Sequence, residues 1–167
     1  AGRSLGLELA QLNGVFTYPQ TGRTANQVVT LNAIGLFNPA VATAPPALPS
    51  MPDPYGTTGT LGERARAYLH TNCAQCHRPN GGTPTDLDLR YTTSISATNG
   101  CDRNPQAGDL GLASARVIAP GDAARSVLVA RANRRDALGM PPLASTVVDT
   151  AGVALLADWV NSLDSCN

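Results

Sequence analysis

Residues 60–77 read TLGERARAYLHTNCAQCH, and the interpretation of the whole chain starts from this stretch. Thr60 and Glu63 have the spacing of a capping box, in which the two side chains satisfy free backbone amides at the start of a helix. Apolar side chains then recur at helical intervals at Leu61, Ala65, Tyr68 and Leu69. The pattern predicts a helix that leads directly into Cys73.

The end of this stretch, Cys73-Ala74-Gln75-Cys76-His77, has the spacing of a covalent haem attachment motif. Two thiols three positions apart can reach both vinyl groups of one porphyrin, and the adjacent histidine then projects onto the iron. The motif therefore predicts one c-type haem, with Cys73 and Cys76 as thioether anchors and His77 as an axial ligand.

Two other uses of the motif remain open on sequence grounds. A redox-active dithiol has the same Cys-x-x-Cys spacing, but it is typical of a βαβ context and not of a helical chain. A zinc site needs four ligands, so Cys101, Cys166 and His70 would have to converge on the motif. No paired spacing indicates that they do.

The ligand on the opposite face of the iron decides what such a haem can do. The candidates are Met140, Met51 and His70. His70 lies on the helix that carries the attachment motif, so we expect it to be a surface or packing residue. Met140 follows His77 by 63 residues (140 − 77) and precedes two prolines, which restrict its loop before folding. We expect Met140 to be the sixth ligand; the alternative is that it only fills the core.

Composition divides the chain into three regions. Residues 1–44 form an N-terminal extension with one helix, predicted from Thr24 to Leu36 with Thr24 as its N-cap. Residues 45–56 are rich in proline and are predicted to form an extended, stiff linker. Residues 57–167 carry the attachment motif.

Two further helices are predicted in the third region. One begins at Asp122, and the other runs from Thr150 to Leu163 with Asp149 as its N-cap. Because no strand pattern is evident, the predicted fold class is mostly α.

The charge balance excludes some classes of partner. The formal net charge is zero, which argues against a nucleic-acid partner. All twelve basic residues are arginines, so no lysine can act as a haem ligand.

No apolar run is long enough to span a bilayer, so no membrane span is predicted. The first residues do not have the pattern of a signal peptide, so the chain is interpreted as a mature or excised segment.

Four stretches together resemble bacterial class I cytochrome c domains. They are Tyr68 to Pro79, Asp88-Leu89-Arg90-Tyr91, Ile118-Ala119-Pro120-Gly121-Asp122 and Met140-Pro141-Pro142-Leu143. The likeness covers roughly residues 57–165, and it is strongest to C-terminal cytochrome domains of larger secreted proteins, some of them fused to quinone-dependent sugar dehydrogenases. The resemblance implies a class I cytochrome c fold, with helices packed around one covalent haem, which follows the N-terminal helical extension. It also implies that His77 and Met140 are the axial ligands and that Trp159 packs against the helix that bears Tyr68.

Cys101 and Cys166 depart from the small soluble members of that family, which usually lack extra cysteines. The simplest assignment joins them in a disulfide, and the alternative is two free thiols. Haem attachment and disulfides both belong to oxidising compartments, so we expect a periplasmic or secreted bacterial protein. Arg90 and Tyr91 are candidates for hydrogen bonds to haem propionates, although an exposed arginine is the more common outcome.

These features predict one-electron transfer by a redox carrier or relay module, and not an enzyme in its own right. The expected partner is a redox protein or a fused or associated dehydrogenase, and the isolated chain is expected to be a monomer. The alternatives are a haem enzyme of the peroxidase or oxygen-handling type and a ligand sensor. Each alternative needs an iron whose sixth position can open.

Overall fold

The structure is a computed structural model that describes residues 8–143 and 145–167. The chain divides into two units, with the boundary between Pro52 and Asp53. Among the described residues, no helix is long and apolar enough to cross a membrane.

The N-terminal unit contains two short helices and a β-hairpin. They are α1 (Leu9–Leu12), β1 (Val15–Thr17), β2 (Thr24–Asn26) and α2 (Gln27–Ala33). The two strands are antiparallel, with Phe16 opposite Ala25. The prediction of a helix from Thr24 to Leu36 is wrong at both ends, and so is the expectation of no strand. The helix starts later because the Asn26 side chain, and not that of Thr24, caps it by accepting a hydrogen bond from the amide of Val28 at 2.9 Å.

The proline-rich segment 45–56 is shared between the two units. Its first part is held by Asn13, whose Nδ2 donates to three carbonyl oxygens at 2.9, 3.1 and 3.2 Å: those of Pro45, Leu48 and Pro49. Its last part belongs to the larger unit, where Arg64 Nη1 donates to the carbonyl oxygen of Gly56 at 3.1 Å. Prolines lack an amide donor but keep their carbonyl acceptors, so side-chain donors can hold a segment that the sequence predicts to be a linker.

The larger unit is built on α3 (Leu61–Asn72), α4 (Val127–Ala132) and α5 (Thr150–Asn161), and loops connect these helices. The predicted capping box is confirmed: Thr60 Oγ1 accepts from the amide of Glu63, and the Glu63 carboxylate accepts from the amide of Thr60. The predicted cap of α5 is also confirmed, because Asp149 Oδ1 accepts from the amide of Gly152 at 3.0 Å. Helix α5 ends at Asn161, two residues before the predicted Leu163.

The helix predicted to start at Asp122 is interrupted. A short 3-10 helix covers Ala123–Arg125, and α4 begins only at Val127. Between them Ser126 is fully buried, and its hydroxyl accepts from the amide of Ala119 at 2.9 Å and donates to the carbonyl oxygen of Asp122 at 3.0 Å. Serine side chains compete with the helix for backbone hydrogen bonds, which explains the break.

The core of the larger unit is centred on the crossing of α3 and α5. Gly152 of α5 lies against the ring of Tyr68, so closely that a Cβ atom there would be 2.3 Å from the ring. The indole of Trp159 lies over Gly62 of α3, and Trp159 is only 4% exposed. The prediction that Trp159 packs against the helix bearing Tyr68 is confirmed.

The structure joins Cys101 to Cys166 in a disulfide, the pairing that the sequence analysis favoured. Cys101 is buried, and its backbone pairs with that of Ile118, which is fully buried in the core. The bond therefore connects the C-terminal tail to the core through the loop that begins at Cys101.

Trp159→Ala is expected to lower the free energy of unfolding of the larger unit by about 3–5 kcal/mol, because removing a buried aromatic ring leaves a cavity at the helix crossing. Urea unfolding followed by circular dichroism measures this loss. Trp159→Phe is the matched control and should lose clearly less, since it keeps an aromatic ring. A loss below about 1 kcal/mol for the alanine variant would contradict the central position of Trp159.

The double substitution Cys101→Ala and Cys166→Ala is expected to lower the free energy of unfolding by about 4 kcal/mol. The bond links positions 65 residues apart, and closing a loop of that length restricts the unfolded chain. Urea unfolding with and without a thiol reductant tests this, because the reductant should weaken the unsubstituted protein and leave the variant unchanged. Equal stability of the two proteins without reductant would exclude a stabilising disulfide.

Candidate cofactor site

The larger unit contains a cavity of about 770 Å³. Four of the sequence-predicted site residues line it together: Cys73, Cys76, His77 and Met140. Much of the remaining wall is aliphatic, with Leu69, Leu87, Leu89, Val117, Val127, Leu128 and Leu156 contributing to it. Its volume lies within the range of about 300–1,000 Å³ that is typical of pockets for small molecules and cofactors.

The two motif cysteines are placed by the end of α3. The amide of Cys73 donates to the carbonyl oxygen of Leu69 at 2.9 Å, which closes the last turn of the helix. The chain then turns once more, because the amides of Cys76 and His77 donate to the carbonyl oxygen of Cys73 at 3.1 and 2.9 Å. Both thiols are unbonded and half-buried in the cavity wall.

The dithiol alternative does not fit this environment. Burial and the neighbouring thiol of Cys76 raise the pKa of the Cys73 thiol to about 12. A reactive dithiol needs a thiolate, and its attacking cysteine therefore has a lowered pKa. The site disfavours the thiolate on Cys73.

The zinc alternative is not supported either. Cys101 and Cys166 are bonded to each other and so cannot act as thiolate ligands. Across the described residues, no group of three or more histidine, cysteine, aspartate or glutamate side chains is placed to hold a metal ion.

His77 is held by contacts on both its backbone and its ring. Its carbonyl oxygen accepts from the amide of Leu89 at 3.0 Å, and its Nδ1 lies 3.4 Å from the hydroxyl oxygen of Thr85. Burial, and then the positive charge of Arg131, lower the pKa of His77. Both effects favour the neutral imidazole, which is the form that binds metals, and the contact of Nδ1 with Thr85 leaves Nε2 available as a donor.

Met140 is positioned by a tight turn after α4. Its amide donates to the carbonyl oxygen of Arg131 at 2.9 Å, and its own carbonyl oxygen accepts from Arg135 Nη1 at 3.2 Å. The turn depends on Gly139, because a Cβ atom at that position would lie 2.3 Å from the carbonyl oxygen of Arg134. The backbone therefore fixes the place of Met140 independently of any cofactor.

The other two ligand candidates are His70 and Met51. His70 does not line the cavity; it is buried at 8% exposure, and its Nδ1 accepts a hydrogen bond from the amide of Tyr91 at 3.0 Å. The expectation of a packing histidine agrees with this position, and that of a surface histidine does not. Met51 belongs to the N-terminal unit, where its amide donates to the carbonyl oxygen of Ala10.

Arg90 and Tyr91 do not line the cavity, so the structure does not support them as propionate partners. Arg90 instead forms a two-pronged pair with the buried carboxylate of Asp88, with Nε–Oδ1 and Nη2–Oδ2 distances of 2.9 and 2.6 Å. This pair lowers the pKa of Asp88. The ring of Tyr91 lies under the guanidinium of Arg66, with 5.7 Å between Cζ and the ring centre.

The polar residues of the cavity wall that sequence reasoning missed include Thr85, Arg103 and Arg131. Arg131 lies nine residues before Met140 (140 − 131), and the turn between them contains the required Gly139. The glycine just before Met140 was a usable signal that the chain doubles back towards α4. Thr85 and Arg103 lie in irregular loops, where no periodic pattern shows which way a side chain points.

Comparisons with protein-family models, with curated proteins and with solved structures found no match to this chain.

Gly139→Ala is expected to disrupt the turn that places Met140, because the added methyl group collides with the backbone of Arg134. Overpacking of this kind costs about 1–3 kcal/mol, so the amide of Met140 should exchange its proton roughly ten to a hundred times faster. Hydrogen exchange read by NMR measures this. The amide of Val153 in α5 is the internal control and should be unaffected; unchanged exchange at Met140 would contradict the role of Gly139.

Proposed function

We propose that this chain is a c-type cytochrome domain that transfers single electrons through one covalently bound haem. Cys73 and Cys76 are the thioether anchors, and His77 and Met140 are the axial ligands. The observation that carries the proposal is that one largely aliphatic cavity is lined by all four residues, three from a local motif and one from a loop 63 residues away (140 − 77).

The donor set fits this cofactor. Two unbonded thiols three positions apart are the chemistry that thioether attachment requires, and the pairing of Cys101 with Cys166 leaves Cys73 and Cys76 as the free cysteines. A neutral imidazole and a thioether are the ligands that hold the iron in electron-transfer cytochromes. When bound, the haem supplies reversible one-electron exchange at its iron.

The protein's own contribution is to hold both donors in place. The imidazole of His77 contacts the hydroxyl of Thr85, and the backbone of His77 is held by the amide of Leu89. Met140 is held by its backbone bond to Arg131. Because the protein itself holds these donors, they would need to move little when the haem is oxidised or reduced. If His77 and Met140 both bound the iron, they would leave no coordination position for a substrate.

The residues around the site also affect the reduction potential that a bound haem would have. Methionine ligation raises the potential of a haem. An aliphatic wall disfavours the extra charge of the ferric state, which acts in the same direction. Both features suit a domain that accepts electrons from a lower-potential donor.

An enzymatic or sensing role has less support. A peroxidase-like site needs an acid–base group on the open side of the iron. The one histidine besides His77 is His70, which lies outside the cavity lining and has its Nδ1 engaged by the amide of Tyr91.

The proposal extends to the setting in which the domain works. A disulfide and a thioether-bound haem both form in oxidising compartments, so we place the protein in the bacterial periplasm or outside the cell. Its partner is a redox protein, or a dehydrogenase that is fused to it or associated with it. In this setting the domain is a carrier or relay and not the catalyst.

Expression together with a c-type haem maturation system tests the proposal. We expect a coloured protein whose mass includes one haem that survives denaturation, and a ferric spectrum of six-coordinate, low-spin iron with a sulfur-to-iron charge-transfer band. A denatured chain that releases its haem, or that never binds one, would defeat the proposal.

Met140→Ala should convert the iron to a form that binds CO rapidly and lacks the sulfur band, because the axial thioether is gone. Met51→Ala is the matched control, since it removes the other methionine of the chain, and it should leave the spectrum unchanged. If Met51→Ala abolishes the band and Met140→Ala does not, the ligand assignment is wrong.

A further inference from the structure

We propose that Arg103 and Arg131 form an anion-binding edge of the cavity and hold the two propionate carboxylates of the haem. This inference rests on the proposed function and deepens it. It replaces Arg90 and Tyr91, the candidate propionate partners that the sequence suggested.

The charges of the cavity wall carry the inference. Arg103 and Arg131 are the two arginines among the lining residues, and Asp86 is the one acidic residue there. A carboxylate that enters a largely aliphatic cavity loses its hydration, and it is stable there only when a cation or several donors replace the water. The wall supplies two guanidinium groups for the two carboxylates.

Neither guanidinium is neutralised within the described part of the chain. Arg90, Arg116, Arg125 and Arg134 each form an ion pair with an aspartate. The side chain of Arg103 makes neither a hydrogen bond nor an ion pair with a described residue. Arg131 donates to two carbonyl oxygens, those of Leu138 at 2.9 Å and Ala107 at 2.5 Å, and these contacts leave its charge uncompensated.

The chemistry of Arg131 leaves room for a carboxylate. A guanidinium has five N–H donors in a planar fork, and the bonds to Leu138 and Ala107 use one at Nη1 and one at Nη2. The remaining donors can bind a carboxylate while Arg131 continues to hold both loops. Leu138 lies in the loop before Met140 and Ala107 in the loop that contains Arg103, so the fold already orients Arg131 from two sides.

The test measures the midpoint potential of the haem-loaded protein in Arg103→Gln, Arg131→Gln and Arg131→Lys. Loss of a cation beside the propionates should disfavour the reduced form about tenfold for Arg131→Gln, which is about 59 mV for a one-electron couple. Arg103 is exposed, so its effect should be smaller and should shrink as salt is added. Arg131→Lys keeps the charge but not the fork, and its shift should lie between those of the unsubstituted protein and Arg131→Gln.

Arg125→Gln is the matched control, because it removes one arginine that is already paired with Asp122 and does not line the cavity. The sulfur-to-iron band shows whether Met140 stays bound in each variant. If Arg131→Gln loses the band, its potential also reflects the lost ligand, and the inference is then judged on the midpoint potentials of Arg103→Gln and Arg131→Lys. Shifts no larger than that of Arg125→Gln, with haem and band intact, would overturn the inference but not the proposed function. An unsubstituted protein without covalent haem would overturn both.

Discussion

The close crossing of α3 and α5 is the constraint on which the rest of the larger unit depends. It exists because Gly152 has no side chain and the ring of Tyr68 occupies the space that one would need. The crossing fixes the direction of α3, and therefore the place where Cys73 leaves the helix. Tyr68 also lines the cavity, so one residue belongs both to the core and to the wall of the site.

Local signals predicted a large part of this arrangement. Thr60 and Glu63 predicted the start of α3, and Asp149 predicted the start of α5, because a cap is an interaction between neighbours in the sequence. The attachment motif is also local, so the spacing of Cys73, Cys76 and His77 was enough to group them. Met140 could be selected because two prolines follow it, and the structure places it in the same cavity wall as the motif.

The contacts of a side chain could not be predicted where its partner is distant in the sequence or where several partners compete for it. Ser126 interrupts a plausible helix because its hydroxyl bonds to Ala119, which a helical pattern does not reveal. Arg90 resembled a propionate partner in sequence, but the carboxylate of Asp88 two residues away takes its guanidinium. The cytochrome fold and the haem remain proposals that rest on the motif and the cavity together.

The disulfide has a consequence for the connectivity of the molecule. Residues 102–165 lie inside the loop that Cys101 and Cys166 close, and the turn that presents Met140 is part of that loop. A protease that cuts this turn once therefore severs the backbone without separating the pieces, which stay joined through sulfur. On a denaturing gel, the nicked chain would therefore migrate as one species until a reductant is added. A cut before Met140 would then separate Met140 from the fragment that carries His77, whereas a cut after Met140 would leave the two residues on the same fragment.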